Sequence, residues 1–305
     1  MCLNLRKNQI NAIDVSLKND FKSGIHAHST GSGKSYIAIE LVKKYNNIYK
    51  NNNIIWICER KDILKHQFSK KVLEERGFSN IINLFNFYDF VNNKDNDWFD
   101  QLNNNTNKPY LCIINRSFLC RNNNYENINN IFSLVIHDEC HSIENKTTSD
   151  FYKWFLKLNN NLKVIGFSAT PELIYPLNNI LTEYNIYDSY IDNITLPPKI
   201  VWIKNEFTLD ENDYLELVKY EINKLYYKKI IIWCGIIEEC IKLANLWKNH
   251  FKDFNICIDF NNKDKYNIYN FNDFDTFYNN EYNSLLFCAV KHREGSDIPN
   301  LDGCI

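Results

Sequence analysis

Ser29-Thr30-Gly31-Ser32-Gly33-Lys34-Ser35 closes a short apolar segment and opens a stretch of helical period over residues 36–44. Strand, glycine-rich turn and helix in that order form a phosphate loop. The glycines let backbone N–H groups wrap a phosphate, and the helix N-terminus adds its positive end. Lys34 reaches the β and γ phosphates, and Ser35 ligates magnesium. The full pattern opens on a glycine where this chain has His28. His28 is read as the end of the strand, with Gly31 and Gly33 supplying the turn; a purely structural turn after a strand is the alternative.

Working outward, Leu134-Val135-Ile136-His137-Asp138-Glu139-Cys140-His141 sets two adjacent carboxylates at the end of an apolar run. Ligands of open parallel sheets bind at the carboxyl ends of strands. There Asp138 would hold magnesium and Glu139 would orient and deprotonate an attacking water, the alternative being a solvated turn. Further apolar runs at 53–58, 110–114, 133–137, 162–167, 229–234 and 283–289 read as buried parallel strands. Between them the spacing of Ile236, Ile237, Cys240, Ile241, Leu243, Ala244 and Trp247 gives one apolar helix face. Repeated alternation of this kind predicts an α/β sheet with right-handed crossovers. The Asn-laden stretches 92–108 and 121–130 read as surface insertions, and Pro197-Pro198 marks a hinge. The expected domains are therefore 1–196 and 197–305.

A chain of 305 residues is long for one domain and short for two full α/β lobes. Its 45% hydrophobic content excludes a disordered chain. The ten cysteines form no C-x-x-C pair and mostly sit in apolar runs, as buried thiols of a reducing compartment do. Cys112 with Cys120 is the nearest approach to a metal cluster. No apolar leader or membrane-length run is present, so a soluble intracellular protein is expected. A net charge of −2 rules out a globally basic nucleic-acid binder, though not a local groove.

Taken in order, the phosphate loop, Asp138-Glu139-Cys140-His141 and Ser168-Ala169-Thr170 resemble the superfamily 2 helicases of the DExH type. The resemblance implies a RecA-like parallel-sheet lobe flanked by helices, followed by a partial second RecA-like lobe, with ATP and Mg2+ in the cleft and DNA or RNA across both. Residues 5–9 resemble the segment whose glutamine reads adenine, here Gln9. The nucleotide set it implies is Gln9, Thr30, Gly31, Ser32, Gly33, Lys34 and Ser35, with Ser35 and Asp138 on the metal and Lys34, Asp138, Glu139 and His141 catalytic. Ser168 and Thr170 resemble motif III, which couples nucleotide state to the nucleic-acid groove through His141. Residues 59–67 resemble motif Ia and 115–118 a degenerate motif Ib, implying backbone contacts from Arg60, Asn115 and Arg116. Residues 230–235 resemble motif IV and 290–299 motif V, whose Gly295 and Asp297 would meet the ribose and phosphates.

The family pattern continues into an arginine-bearing motif VI that the chain does not reach by Ile305. Three readings stay open: a fragment or split gene whose other half, a second polypeptide, supplies the arginines, a degenerate ATP-binding subunit that switches without unwinding, and a self-sufficient weak ATPase. Movement on duplex without strand separation is a further alternative. The choice of DNA or RNA is not legible in the spacing.

Overall fold

Helix α1 (Lys7–Lys18) buries Ala12, Ile13 and Ser16 and leads into β1 (Gly24–His28) and α2 (Lys34–Ile48). Then come β2 (Asn53–Cys58), β3 (Asn83–Asn86), α3 (Trp98–Asn103), β4 (Tyr110–Asn115), α4 (Arg116–Cys120) and a 3-10 turn (Arg121–Asn127). β5 (Phe132–Asp138), α5 (Lys146–Leu158), β6 (Lys163–Ser168), β7 (Ile180–Tyr184) and α6 (Ile186–Ile191) follow. All belong to the first of two compact units, Met1–Lys199. The structure, a computed structural model, describes residues 5–59, 74–75, 83–87, 98–104, 110–141, 146–195, 211–261, 263–280, 283–289, 298 and 300–305.

The described strands of this unit make one sheet in the order β3-β4-β2-β5-β6-β1-β7, parallel throughout. Its central strands are apolar at nearly every position because helices cover both faces, and β2 and β4 are buried end to end. Three neighbouring strands, β5, β6 and β1, carry the three sequence motifs at their carboxyl ends. Asp138 pairs in register with Phe167, and Ala27 with Ser168. β6 thus stands between the phosphate loop and the acid pair, and Ser168 lies level with both.

The Asn-rich stretches are not mere surface insertions. Trp98 and Leu102 of α3, and Tyr125 and Ile128 after α4, are buried in the core of the unit. Asparagines tie the two stretches together: Asn103 Nδ2 donates to the Asn127 carbonyl (2.8 Å), and Asn103 Oδ1 accepts from Asn129 N–H (3.0 Å). A few large apolar residues supply the anchorage that the polar composition conceals.

The second unit, Ile200–Ile305, holds α7 (Glu211–Leu225), β8 (Lys229–Cys234), α8 (Ile237–His250), β9 (Asn255–Asp259), α9 (Phe274–Asn279), β10 (Ser284–Ala289) and β11 (Gly303–Cys304). Its described strands form a smaller parallel sheet in the order β11-β8-β10-β9. α8 packs through Cys240, Ala244 and Trp247, while Ile236 is its exposed N-cap rather than part of the buried stripe. Motif V, with Gly295 and Asp297, lies outside the described residues save for Ile298, and so does Arg60. Among the described residues no helix is long and apolar enough to cross a membrane.

Candidate nucleotide and nucleic-acid site

The phosphate loop leaves β1 at His28, which is the last residue of the strand. Gly31 (φ 79°) and Gly33 (φ 87°) both take the left-handed conformation that a Cβ disfavours. Gly33 is the N-cap of α2, so the helix starts at Lys34, two residues earlier than its periodicity predicts. Lys34 and Ser35 therefore occupy the first turn, where the helix dipole favours an anion.

Three side chains from the start of α1 hold the outer face of this loop. Arg6 Nη1 donates to the Gly31 carbonyl (3.4 Å), Asn8 Nδ2 to the Ser32 carbonyl (3.4 Å) and Gln9 Nε2 to the same carbonyl (3.3 Å). Ser32 Oγ donates to the Ser29 carbonyl (2.7 Å). The carbonyls of Gly31 and Ser32 are thus turned toward α1, and Ser32 N–H closes a turn on the Ser29 carbonyl (3.3 Å). Gln9 is buried, and its Oε1 also accepts from Arg6 N–H (2.9 Å). Both ends of its amide are thus engaged within the protein. Arg6 and Asn8 have no motif signal of their own; a basic and an amide residue beside Gln9 gain meaning only once α1 lies against the loop.

Across β6, the acid pair ends β5. Asp138 is buried, and its carboxyl is pushed up to about 7 by burial first and the neighbouring Glu139 charge second, with Lys34 opposing. Glu139 sits at φ 54°, an unusual conformation for a residue with a Cβ, which swings its side chain out of the strand direction. Its Oε1 lies 3.2 Å from Lys34 Nζ and its Oε2 lies 3.5 Å from His141 Nδ1. Cys140 tucks under β6 because Gly166 has no side chain there: a Cβ at Gly166 would stand 2.6 Å from Cys140 Sγ and 2.9 Å from Leu177 Cδ1. Gly166, two residues before Ser168, is a site-shaping residue that sequence reading passes over inside an apolar run.

At motif III the buried Ser168 Oγ accepts from Thr170 N–H (3.1 Å), and the Thr170 side chain is exposed. At motif Ib, Asn115 is buried and fully employed. Its Nδ2 donates to the carbonyls of Cys58 (3.3 Å) and Glu59 (2.5 Å), and its Oδ1 caps α4 by accepting from Phe118 N–H (3.1 Å). Arg116 pairs with Glu59 through Nε and donates from Nη1 to Thr148 Oγ1 (3.2 Å). Both side chains therefore turn inward to the segment that begins motif Ia. Cys112 is buried within β4, and among the described residues no group of three or more His, Cys, Asp or Glu side chains converges as a metal site would.

A parallel sheet with a phosphate loop and an acid pair on strand ends flanking a third defines a RecA-like core of the superfamily 2 helicase type. A family described as "Type III restriction enzyme, res subunit" matches residues 2–173, more than half of the chain, and the chain belongs to it. No curated protein matches the sequence. Among solved structures, an ATP-dependent Type ISP restriction-modification enzyme, LlaBIII, bound to DNA, is similar over 99% of this chain with 14% identity and a TM-score of 0.65. The chain spans 25% of the length of that enzyme. S. cerevisiae Dbp5 bound to RNA and ADP BeF3 matches over 98% of this chain and 73% of its own (15% identity, TM-score 0.54). The DEAD-box helicase Mss116 bound to ssRNA and UDP-BeF matches over 98% of this chain and 64% of its own (15% identity, TM-score 0.60). At these identities the likeness is one of fold.

Proposed function

We propose that the chain is an ATP-dependent nucleic-acid motor core, in which hydrolysis in the first unit drives movement on, or remodelling of, DNA or RNA. The observation that carries this reading is the 3.2 Å ion pair between Lys34 and Glu139, which brings the phosphate loop and the acid pair of separate strands to one place. In the absence of nucleotide each of these residues neutralises the other. An entering γ-phosphate competes for Lys34 and frees Glu139 to take a proton from water. That water attacks phosphorus in line, the bond to the ADP oxygen breaks, and the proton rests on Glu139. His141, beside the other Glu139 oxygen, orients the carboxylate.

The oxygen donors of Ser35 and Asp138 suit Mg2+, and Asp138 is a buried carboxyl whose charge the protein only partly compensates. Mg2+, when bound, neutralises charge on the phosphate oxygens. Reading of adenine by Gln9 requires its amide to exchange the Ser32 carbonyl or the Arg6 N–H for the base. Ser168, level with both motifs, and Thr170, bonded to it, transmit nucleotide state, and Gly295 and Asp297 are assigned to the ribose and phosphates. Arg60 is assigned to the nucleic-acid backbone, and Asn115 and Arg116 hold the residue before it, Glu59. Movement on duplex without strand separation is the second reading, favoured by the likeness to a restriction-modification enzyme bound to DNA.

The deciding experiment is ATP hydrolysis by the full chain with and without single-stranded or duplex DNA and RNA. Stimulated turnover is expected, falling ~100-fold or more in Glu139→Gln, the lower bound for a lost general base. ATP binding is expected to be lost in Lys34→Ala. Binding that depends on Lys34 without turnover in any condition would overturn the motor reading in favour of a nucleotide-gated nucleic-acid binder, alone or awaiting a second polypeptide.

A further inference from the structure

The residue that stands in place of the phosphate loop's first glycine is part of a buried polar chain. Ser16 Oγ of α1 lies 2.8 Å from His26 Nε2, His26 Nδ1 lies 2.7 Å from Thr182 Oγ1, and Thr182 Oγ1 lies 2.8 Å from His28 Nε2. All four side chains are at least nine-tenths buried. Thr182 belongs to β7, the edge strand next to β1, where it pairs with His26. His28 Nδ1 is buried and has no hydrogen-bond partner among the described residues. The backbone continues the same link, since Ser29 N–H, the next residue of the loop, donates to the Tyr184 carbonyl of β7 (2.8 Å).

One hydroxyl carries one proton, yet Thr182 faces two imidazole nitrogens. A neutral imidazole has one N–H donor and one acceptor nitrogen. If Thr182 donates to His28, then His28 carries its proton on Nδ1, His26 donates to Thr182, and Ser16 donates to His26. If Thr182 donates to His26, every bond reverses and His28 Nδ1 becomes an acceptor. Thr182 therefore couples the tautomers of both histidines and sets which kind of group His28 offers at the root of the phosphate loop. The His28 ring, tilted 42° against Tyr184 with centroids 5.7 Å apart, has little freedom to escape that choice.

We infer that Thr182 is a positioning residue for the phosphate loop, acting through the His28 imidazole at the strand end from which the loop departs. The inference rests on the ATP reading above. Without the hydroxyl both histidines lose a buried partner, the β1 terminus shifts, and the loop loses its preset shape for phosphate.

The test measures binding of a fluorescent ATP analogue to the full chain, with melting temperature recorded for each variant and the assay run well below it. Thr182→Val, which keeps the branched shape and removes the hydroxyl, is expected to weaken binding about tenfold, the usual scale of a buried hydrogen bond left unmade. Thr182→Ser is expected to restore most of the affinity. His28→Phe keeps a ring against Tyr184 and is expected to weaken binding as Thr182→Val does; it decides the matter if Thr182→Val does not fold. In 15N-histidine spectra the His28 ring nitrogens are expected to move when the analogue binds. If wild type binds, Lys34→Ala does not, and folded Thr182→Val and His28→Phe bind like wild type with His28 unmoved, the inference is overturned and the ATP reading stands. If wild type binds no better than Lys34→Ala, the ATP reading falls and takes this inference with it.

Discussion

Burial holds His26 down to about 3, with the nearby His28 adding to the shift; it holds His28 down to about 4, with Lys34 adding, and His137 down to about 3, with Arg116 adding. Each is neutral in the fold but charges near 6.5 once unfolded. Their contribution is complete above pH 6.5 and is lost as the pH falls from 6.5 toward 4 and then 3, by about 1.4 kcal/mol per unit for each group. Asp138 has the opposite sign: its carboxyl is raised, so its contribution is present at acid pH and is lost as the pH rises toward about 7. Three groups against one leave a net loss of stability on acidification. Urea unfolding at pH 7 and pH 5 is expected to show a lower midpoint at pH 5, and His26→Leu is expected to flatten that difference. A midpoint rising toward pH 5 would show that these imidazoles are not held neutral.

At the scale of elements, the site depends on how closely β5 and β6 approach just before their motifs. Gly166 is in register with His137, and Cys140 fills the space its missing side chain leaves. Gly166→Ala is expected to cost ~1–3 kcal/mol, the usual range for overpacking a core, and to slow turnover by displacing Glu139 from Lys34. Adding Cys140→Ala is expected to recover much of both losses, because the sulfur is the nearest obstacle. Calorimetry and steady-state rates on the single and double variants measure that coupling. Independent losses that simply add would mean that the clash is relieved elsewhere. The two Asn-rich stretches teach a related point. Composition marks them as loops, yet Trp98, Leu102, Tyr125 and Ile128 make them part of the core.

For the whole molecule, each compact unit has its own parallel sheet and its own buried apolar cluster. We expect residues 1–199, expressed alone, to unfold in one cooperative transition and to bind the ATP analogue through Lys34. A non-cooperative melt of this fragment would show that its core is completed by the second unit. The boundary expected near residue 197 is tested by the same fragment.

Sequence alone determined the α/β class, most central strands, a glycine turn at the start of a helix and an acid pair at the end of a strand. Those features are local: a run of apolar residues covered on both faces, or a glycine turn at a helix start, is written in adjacent positions. It did not reveal β3, β7, β9 or β11, whose apolar runs are at most three residues long between polar or small ones. Nor did it disclose that Asn115 and Arg116 turn inward, that Arg6 and Asn8 hold the loop, or that Thr182 meets His26 and His28. Those partners are brought together by strand order, with β7 beside β1 although more than 150 residues separate Thr182 from either histidine. Such hydrogen bonds leave no pattern in neighbouring residues, so tertiary structure alone decided them.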